Sequence, residues 1–125
     1  GVHWGEEEGE AALGRATLAN DRLLGISCYA SLERALRAQH DGADYVAFGS
    51  FFASRVKPGA VHAPLELLLR AKRELDLPIV AIGGITLENA PPLIHAGADA
   101  LAVISALFDA PDITAAARSF AALFE

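Results

Sequence analysis

Gly97-Ala98-Asp99-Ala100-Leu101-Ala102-Val103-Ile104-Ser105 echoes Gly42-Ala43-Asp44-Tyr45-Val46-Ala47-Phe48-Gly49-Ser50, and this repeated joint decides the fold. In each copy a glycine stands where a helix commonly ends in a left-handed residue, and a short apolar run then leads into a serine. Runs of the same kind occupy 23–28 and 78–82, and Gly1-Val2-His3-Trp4 reads as the tail end of one more strand. Each is short enough to be a strand buried on both faces. The intervening segments 11–18, 32–39, 65–75, 93–96 and 113–124 carry helical period. In the last of them Ile113, Ala116, Ala117, Phe120, Leu123 and Phe124 form one apolar stripe directed at a core. Ser31 and Asp112 suit the N-caps of the second and last helices, Pro64 the first turn of the third, and Pro91 and Pro92 fit only at the start of the fourth. Strict alternation with short joints predicts an α/β fold of parallel (β/α) units. An open doubly wound sheet and part of a (β/α)8 barrel both satisfy the pattern. A whole barrel takes at least about 200 residues, so the second choice makes residues 1–125 a single partial domain, the C-terminal half of a TIM barrel (about strands 4/5 to 8).

Composition narrows the partners. With 16 Asp and Glu against 10 Lys and Arg the formal charge is −6, and a pI near 5.1 without a basic run argues against nucleic acid or an anionic membrane surface. No apolar stretch reaches the roughly 18 residues of a membrane span, and the acidic Glu6-Glu7-Glu8 is unlike a secretory leader; a cytoplasmic setting is expected. Cys28, the single cysteine, excludes an internal disulfide and is expected to serve packing. A chain without methionine that opens at the end of a strand is expected to be the later portion of something longer.

In such folds ligands sit beyond the carboxyl ends of the strands, which directs attention to four places. Adjacent Gly83 and Gly84 let backbone amides approach an anion, and Ile104-Ser105 offers further amides and a hydroxyl at the mouth of a short helix; together they predict a phosphate site. Against this stands the plainer possibility that the glycines only make a tight turn. The stretch 50–63 is long for a strand-to-helix joint and carries Ser54, Arg55, Lys57 and His62; its cations suit a leaving pyrophosphate, or merely solvent. Glu6-Glu7-Glu8 follows the opening strand, where carboxylates hold magnesium or simply favour a helix N-terminus. Ser27 and Tyr29 end the next strand; no acid or base nearby in sequence suggests a nucleophilic triad, so covalent catalysis is disfavoured. His3 and His62 lie nearer this mouth than His40 and His95, and no histidine pair has metal-ligand spacing.

Taken in order, Gly1-Val2-His3-Trp4-Gly5-Glu6-Glu7-Glu8, Gly25-Ile26-Ser27, Gly42-Ala43-Asp44-Tyr45-Val46 with its 49–57 loop, Ala81-Ile82-Gly83-Gly84-Ile85, and Gly97-Ala98-Asp99 through Val103-Ile104-Ser105-Ala106 closely resemble the C-terminal part of the thiamine phosphate synthase (thiamine-phosphate pyrophosphorylase) family. The resemblance implies a (β/α)8 barrel entered at its fourth strand and a transferase of thiamine biosynthesis. That enzyme condenses hydroxymethylpyrimidine pyrophosphate with thiazole phosphate to give thiamine phosphate and pyrophosphate. It implies Mg2+ as cofactor. Carried over by position, Gly84, Ile104, Ser105 and Ser54 would bind the thiazole phosphate, Lys57 would stabilise pyrophosphate, Ser27 would face the reacting groups, and Glu8 would stand for a magnesium-binding aspartate. The chain departs from the family pattern at Glu6 and Glu8, where glutamine and aspartate are usual, and at Val56, where a second threonine is usual. The family's pyrimidine-side basic motif and its other magnesium aspartate belong to strands ahead of Gly1. Two further readings remain: a thiazole tautomerase, whose histidine would align with Tyr29, and a non-catalytic phosphate-binding half-barrel that self-associates or awaits its missing N-terminal half.

Overall fold

The computed structural model describes residues 1–53 and 62–125. Its five strands, β1 (Val2–Trp4), β2 (Leu24–Tyr29), β3 (Tyr45–Phe48), β4 (Ile79–Ile82) and β5 (Ala100–Ala102), form one parallel sheet in chain order. The helices are α1 (Ala11–Thr17), α2 (Leu32–His40), α3 (Leu65–Glu74), α4 (Ala90–His95), α5 (Ser105–Phe108) and α6 (Ile113–Ala122), and Glu6–Glu8 adds a 3-10 turn after β1. The order of the described strands does not reverse, so no switch point of a doubly wound fold lies among them. Helices α1 to α4 touch one another in series and pack on β2 to β4, which puts them on one face. Leu24, Ile26, Cys28, Val46, Phe48, Ile79 and Ala81 fill the space beneath them. On the opposite face lie His3, Gly25, Ser27 and Tyr45.

The expected caps are in place. Ser31 Oγ accepts from the Arg34 amide at 3.0 Å, and Asp112 Oδ1 from the Ala115 amide at 3.0 Å. Pro91 and Pro92 lie in the first turn of α4, where their missing N–H groups leave no intrahelical bond unmade. Two expectations need correction. Burial on both faces holds at most for the central strands: β1 and β5, each with one neighbour among the described residues, are largely exposed. The stripe on α6 does not face a core along its length either, because only Phe120 is buried while Ile113 and Phe124 stand open. Helix α6 packs on α5 beside the edge strand, and Leu101, Val103, Ala117, Phe120 and Phe124 line a groove of about 370 Å³ between them.

The repeated Gly-Ala-Asp joint is a clamp built twice. Gly42 and Gly97 take φ of 96° and 122° after their helices. The next residue then closes back on the helix, Ala43 N–H to Ala38 O and Ala98 N–H to Leu93 O, each 3.0 Å. Asp44 N–H donates to Leu24 O at 2.8 Å while its Oδ2 accepts from Leu24 N–H at 2.7 Å. Asp99 and Ile79 repeat the exchange at 2.8 and 2.9 Å. Each carboxylate also takes a cation from the helix before the clamped strand: Arg15 to Asp44 at 2.6 Å and Lys72 to Asp99 at 2.7 Å. The stem of that cation lies across the glycine, where a Cβ would come within 3.1 Å of Arg15 Cγ or 2.8 Å of Lys72 Cβ.

Arg15 is the less exposed of the two cations, so Asp44→Ala should lower the unfolding free energy by about 2–3 kcal/mol and Asp99→Ala by about 1–2 kcal/mol, as read from urea midpoints. Cys28 is fully buried and its thiol is pushed up to about 12, chiefly by burial, against which nearby Arg34 acts weakly. A thiol reagent at pH 8 should therefore modify the folded chain no faster than the chain unfolds, and prompt labelling of native protein would contradict this packing.

Candidate functional site at the carboxyl ends of the strands

Five segments meet at this end of the sheet: the turn Glu6–Glu8 after β1, Ser27 and Tyr29 at the end of β2, Gly49 to Ala53 after β3, Gly83-Gly84 after β4, and Val103 to Ser105 after β5. They form two clusters. Parallel pairing of Ile82 with Ala102 sends the Gly83-Gly84 and Ile104-Ser105 segments out side by side. Glu8 follows the other edge strand, β1, and Ser27 lies on β2 beside it, with three strands between β1 and β5.

In the first cluster the glycines answer a packing demand. Gly83 and Gly84 take φ of 97° and 65°, and a side chain at either would collide with the backbone or side chain of Ser50 to Ala53. That loop is tied to β4 by Phe51 N–H to Ile82 O at 3.2 Å and Phe52 N–H to Gly83 O at 3.1 Å. Asn89 braces the other side, donating to Gly84 O at 3.1 Å and accepting from the Thr86 amide at 2.7 Å. The tight-turn explanation thus accounts for both glycines without a ligand. What an anion would use is different: among the described residues the amides of Gly84 and Ser105 donate to nothing, and Ser105 opens α5 with its N–H unspent. Ile104 is 60% exposed beside them.

The second cluster centres on Ser27. Its Oγ lies 2.7 Å from His3 Nε2, and His3 Nδ1 lies 2.9 Å from the Tyr45 hydroxyl, with the two rings stacked at 5.6 Å. The His3 pKa is held below its usual value by burial against these groups, with the Glu8 charge opposing. Glu8 itself caps its own turn, Oε2 accepting from the Gly5 amide at 2.8 Å. Tyr29 takes a left-handed backbone, φ 54°, and its hydroxyl accepts from the Glu6 amide at 3.1 Å while Arg34 sits over its ring.

Of the residues singled out in the sequence, Gly84 follows β4 and Ile104 and Ser105 follow its neighbour β5, while Ser27 lies on β2 and Glu8 follows the adjacent β1. Ser54, Arg55 and Lys57 lie outside the described residues. Among the described residues no set of three metal-ligating side chains occurs; Glu8 offers a single carboxylate with Oε1 to spare, the least that magnesium accepts when water and phosphate oxygens fill its shell. Tyr45 was missed as a site residue. Its signal was Gly25, a glycine inside a strand, which commonly marks a close approach: a Cβ there would strike the Tyr45 ring.

A family model described as thiamine monophosphate synthase matches residues 1–107. A thiamine-phosphate synthase of Azoarcus sp. (strain BH72) is 57% identical over 124 residues, covering 99% of this chain and 60% of the relative. One of Aromatoleum aromaticum is 53% identical over 125 residues, with 100% and 60% covered. The solved thiamine phosphate pyrophosphorylase from Pyrococcus furiosus superimposes with a TM-score of 0.85 at 34% identity, over 99% of this chain and 58% of that one. The chain thus spans about 60% of the length of the curated relatives it matches. With the parallel sheet, the paired loops and the matched sequence in agreement, the chain belongs to the thiamine monophosphate synthase family.

Proposed function

We propose that residues 1–125 are the C-terminal part of a (β/α)8 barrel, one partial domain of a cytoplasmic thiamine phosphate synthase. In the reaction the bond from the methylene carbon of hydroxymethylpyrimidine pyrophosphate to the pyrophosphate oxygen breaks, leaving a pyrimidine carbocation that the thiazole nitrogen then attacks. Family membership supports the activity, and the uniform winding of the sheet supports the barrel. The observation that supports the site is the pairing of β4 with β5, whose following segments carry the amides of Gly84 and Ser105, neither with an acceptor among the described residues.

On this reading Gly84, Ile104 and Ser105 bind the thiazole phosphate through amides and the Ser105 hydroxyl, with Ser54 joining from the long loop. Lys57 holds the departing pyrophosphate, and Ser27 donates toward it from the neighbouring edge. Catalysis is then positional and electrostatic: the substrates are held in line and the charge of the leaving group is met by fixed donors. Glu8 would hold Mg2+, which when bound supplies positive charge to the pyrophosphate oxygens. The buried Cys28 takes no part. The missing half-barrel is the natural partner of the β1 and β5 edges, each of which has only one strand beside it among the described residues.

A second reading, a phosphate-binding half-barrel without catalysis, is favoured by those same open edges, which invite self-association. The tautomerase reading finds no support at Tyr29, whose hydroxyl is engaged by the Glu6 amide.

Titration of the purified chain with thiazole phosphate by calorimetry should show saturable binding, and Ser105→Asp, which puts a carboxylate among the phosphate donors, should abolish it. A folded chain with no binding, or a Ser105→Asp variant that binds as well as the parent, would sink the assignment of this pocket.

A further inference from the structure

We propose that His3 is a positioning residue, fixed by Tyr45 in the tautomer that carries its proton on Nε2, so that Ser27 is left with its hydroxyl hydrogen free to donate into the mouth. The inference rests on the reading that Ser27 faces the pyrophosphate of the pyrimidine substrate.

The geometry is built across three strands. His3 pairs with Gly25, and Gly25 with Tyr45, so the three share one line across the sheet. Because Gly25 has no side chain, the Tyr45 ring lies over it and reaches His3, stacking on the imidazole with an interplanar angle of 24°. Ser27, two residues further along β2 on the same face, meets the other ring nitrogen at 2.7 Å. Its backbone is pinned as well, since Arg34 Nε donates to Ser27 O at 2.7 Å.

The choice of tautomer follows from acidity. A neutral imidazole has one lone pair and one N–H, and two hydroxyls compete to donate to the lone pair. A phenol is more acidic than an aliphatic hydroxyl and is the better donor. Tyr45 therefore donates to Nδ1, the proton resides on Nε2, and Nε2–H donates to Ser27 Oγ. The serine hydrogen then has no partner in this chain of bonds and is directed outward, where it suits an anionic oxygen. The same arrangement denies Ser27 a base: the nitrogen that touches it presents a proton, which agrees with a role in binding and against one as nucleophile. Partial burial lowers the His3 pKa, which favours the neutral form the scheme uses, with the Glu8 charge opposing.

Long-range proton–nitrogen NMR of the 15N-labelled chain reads the tautomer directly. The wild-type chain should show Nε2 protonated and Nδ1 bare. Tyr45→Phe should shift His3 toward a mixture of tautomers, while Ser27→Ala should leave the Nε2–H form in place; matching backbone spectra would show that both variants are folded. A wild-type chain with the proton on Nδ1, or a tautomer indifferent to loss of the Tyr45 hydroxyl, would overturn the proposal. Inorganic pyrophosphate with magnesium is then added. Perturbed Ser27 and His3 signals in the wild type, lost in Ser27→Ala, are expected. Retention of the tautomer result with no response to pyrophosphate would overturn the placement of pyrophosphate at Ser27, on which the serine's proposed task depends, and leave the Tyr45–His3 linkage standing.

Discussion

A carboxylate at the foot of every second strand holds this sheet in register. Asp44 and Asp99 each bind the backbone N–H of the strand before their own and take a cation from the helix leading into that strand. Three elements are thus joined at one atom group: a helix, the strand it feeds and the next strand along. Parallel strands cannot be set in register by a tight hairpin turn, because a helix separates them. The clamp does that work instead, and a slip by one residue would turn every side chain to the opposite face. The fixed register is what aligns His3, Gly25 and Tyr45, and what sends the β4 and β5 segments out together.

The clamps and the chemistry occupy opposite ends of the strands. At the amino ends the carboxylates are engaged, and the Arg15 guanidinium bonds both Asp44 and the Arg22 carbonyl through its terminal nitrogens while its buried Nε finds no partner among the described residues. At the carboxyl ends the amides of Gly84 and Ser105 donate to nothing among the described residues. The clamped end contributes stability, whereas amides without an acceptor are what an anionic ligand needs. This asymmetry allows substitutions at the mouth to alter binding while the sheet stays intact.

Much of this was legible in the sequence. The alternation of short apolar runs with helical segments identified all five strands and the parallel architecture, and Ser31, Asp112, Gly42 and Gly97 marked helix ends where they occur. Periodicity could not report what covers a face. The α6 stripe and the apolar run of β5 carry the pattern of burial, yet Ile113, Phe124 and Ala100 are exposed, since burial depends on a neighbouring element that pattern alone does not supply. The candidate site divided in the same way. Gly84, Ile104 and Ser105 could be placed by chain order after two neighbouring strands, and β4 does pair with β5. Tyr45 could not, because its role arises from contact with His3, 42 residues away.

The glycines illustrate how a motif can be right for a different reason from the one that draws attention to it. Gly83-Gly84 is conspicuous as a phosphate cradle, yet both residues are required by the approach of Ser50 to Ala53 alone. Glycine identity there measures loop packing, and the case for an anion passes to the Gly84 amide, which has no acceptor among the described residues. Gly25 is the reverse: unremarkable as a motif and unfavourable in a strand, it is needed because an aromatic ring must cross it. The packing of a loop on Gly84 and of a ring on Gly25 is then what positions each donor, so the binding geometry at both clusters depends on residues that need never touch a ligand.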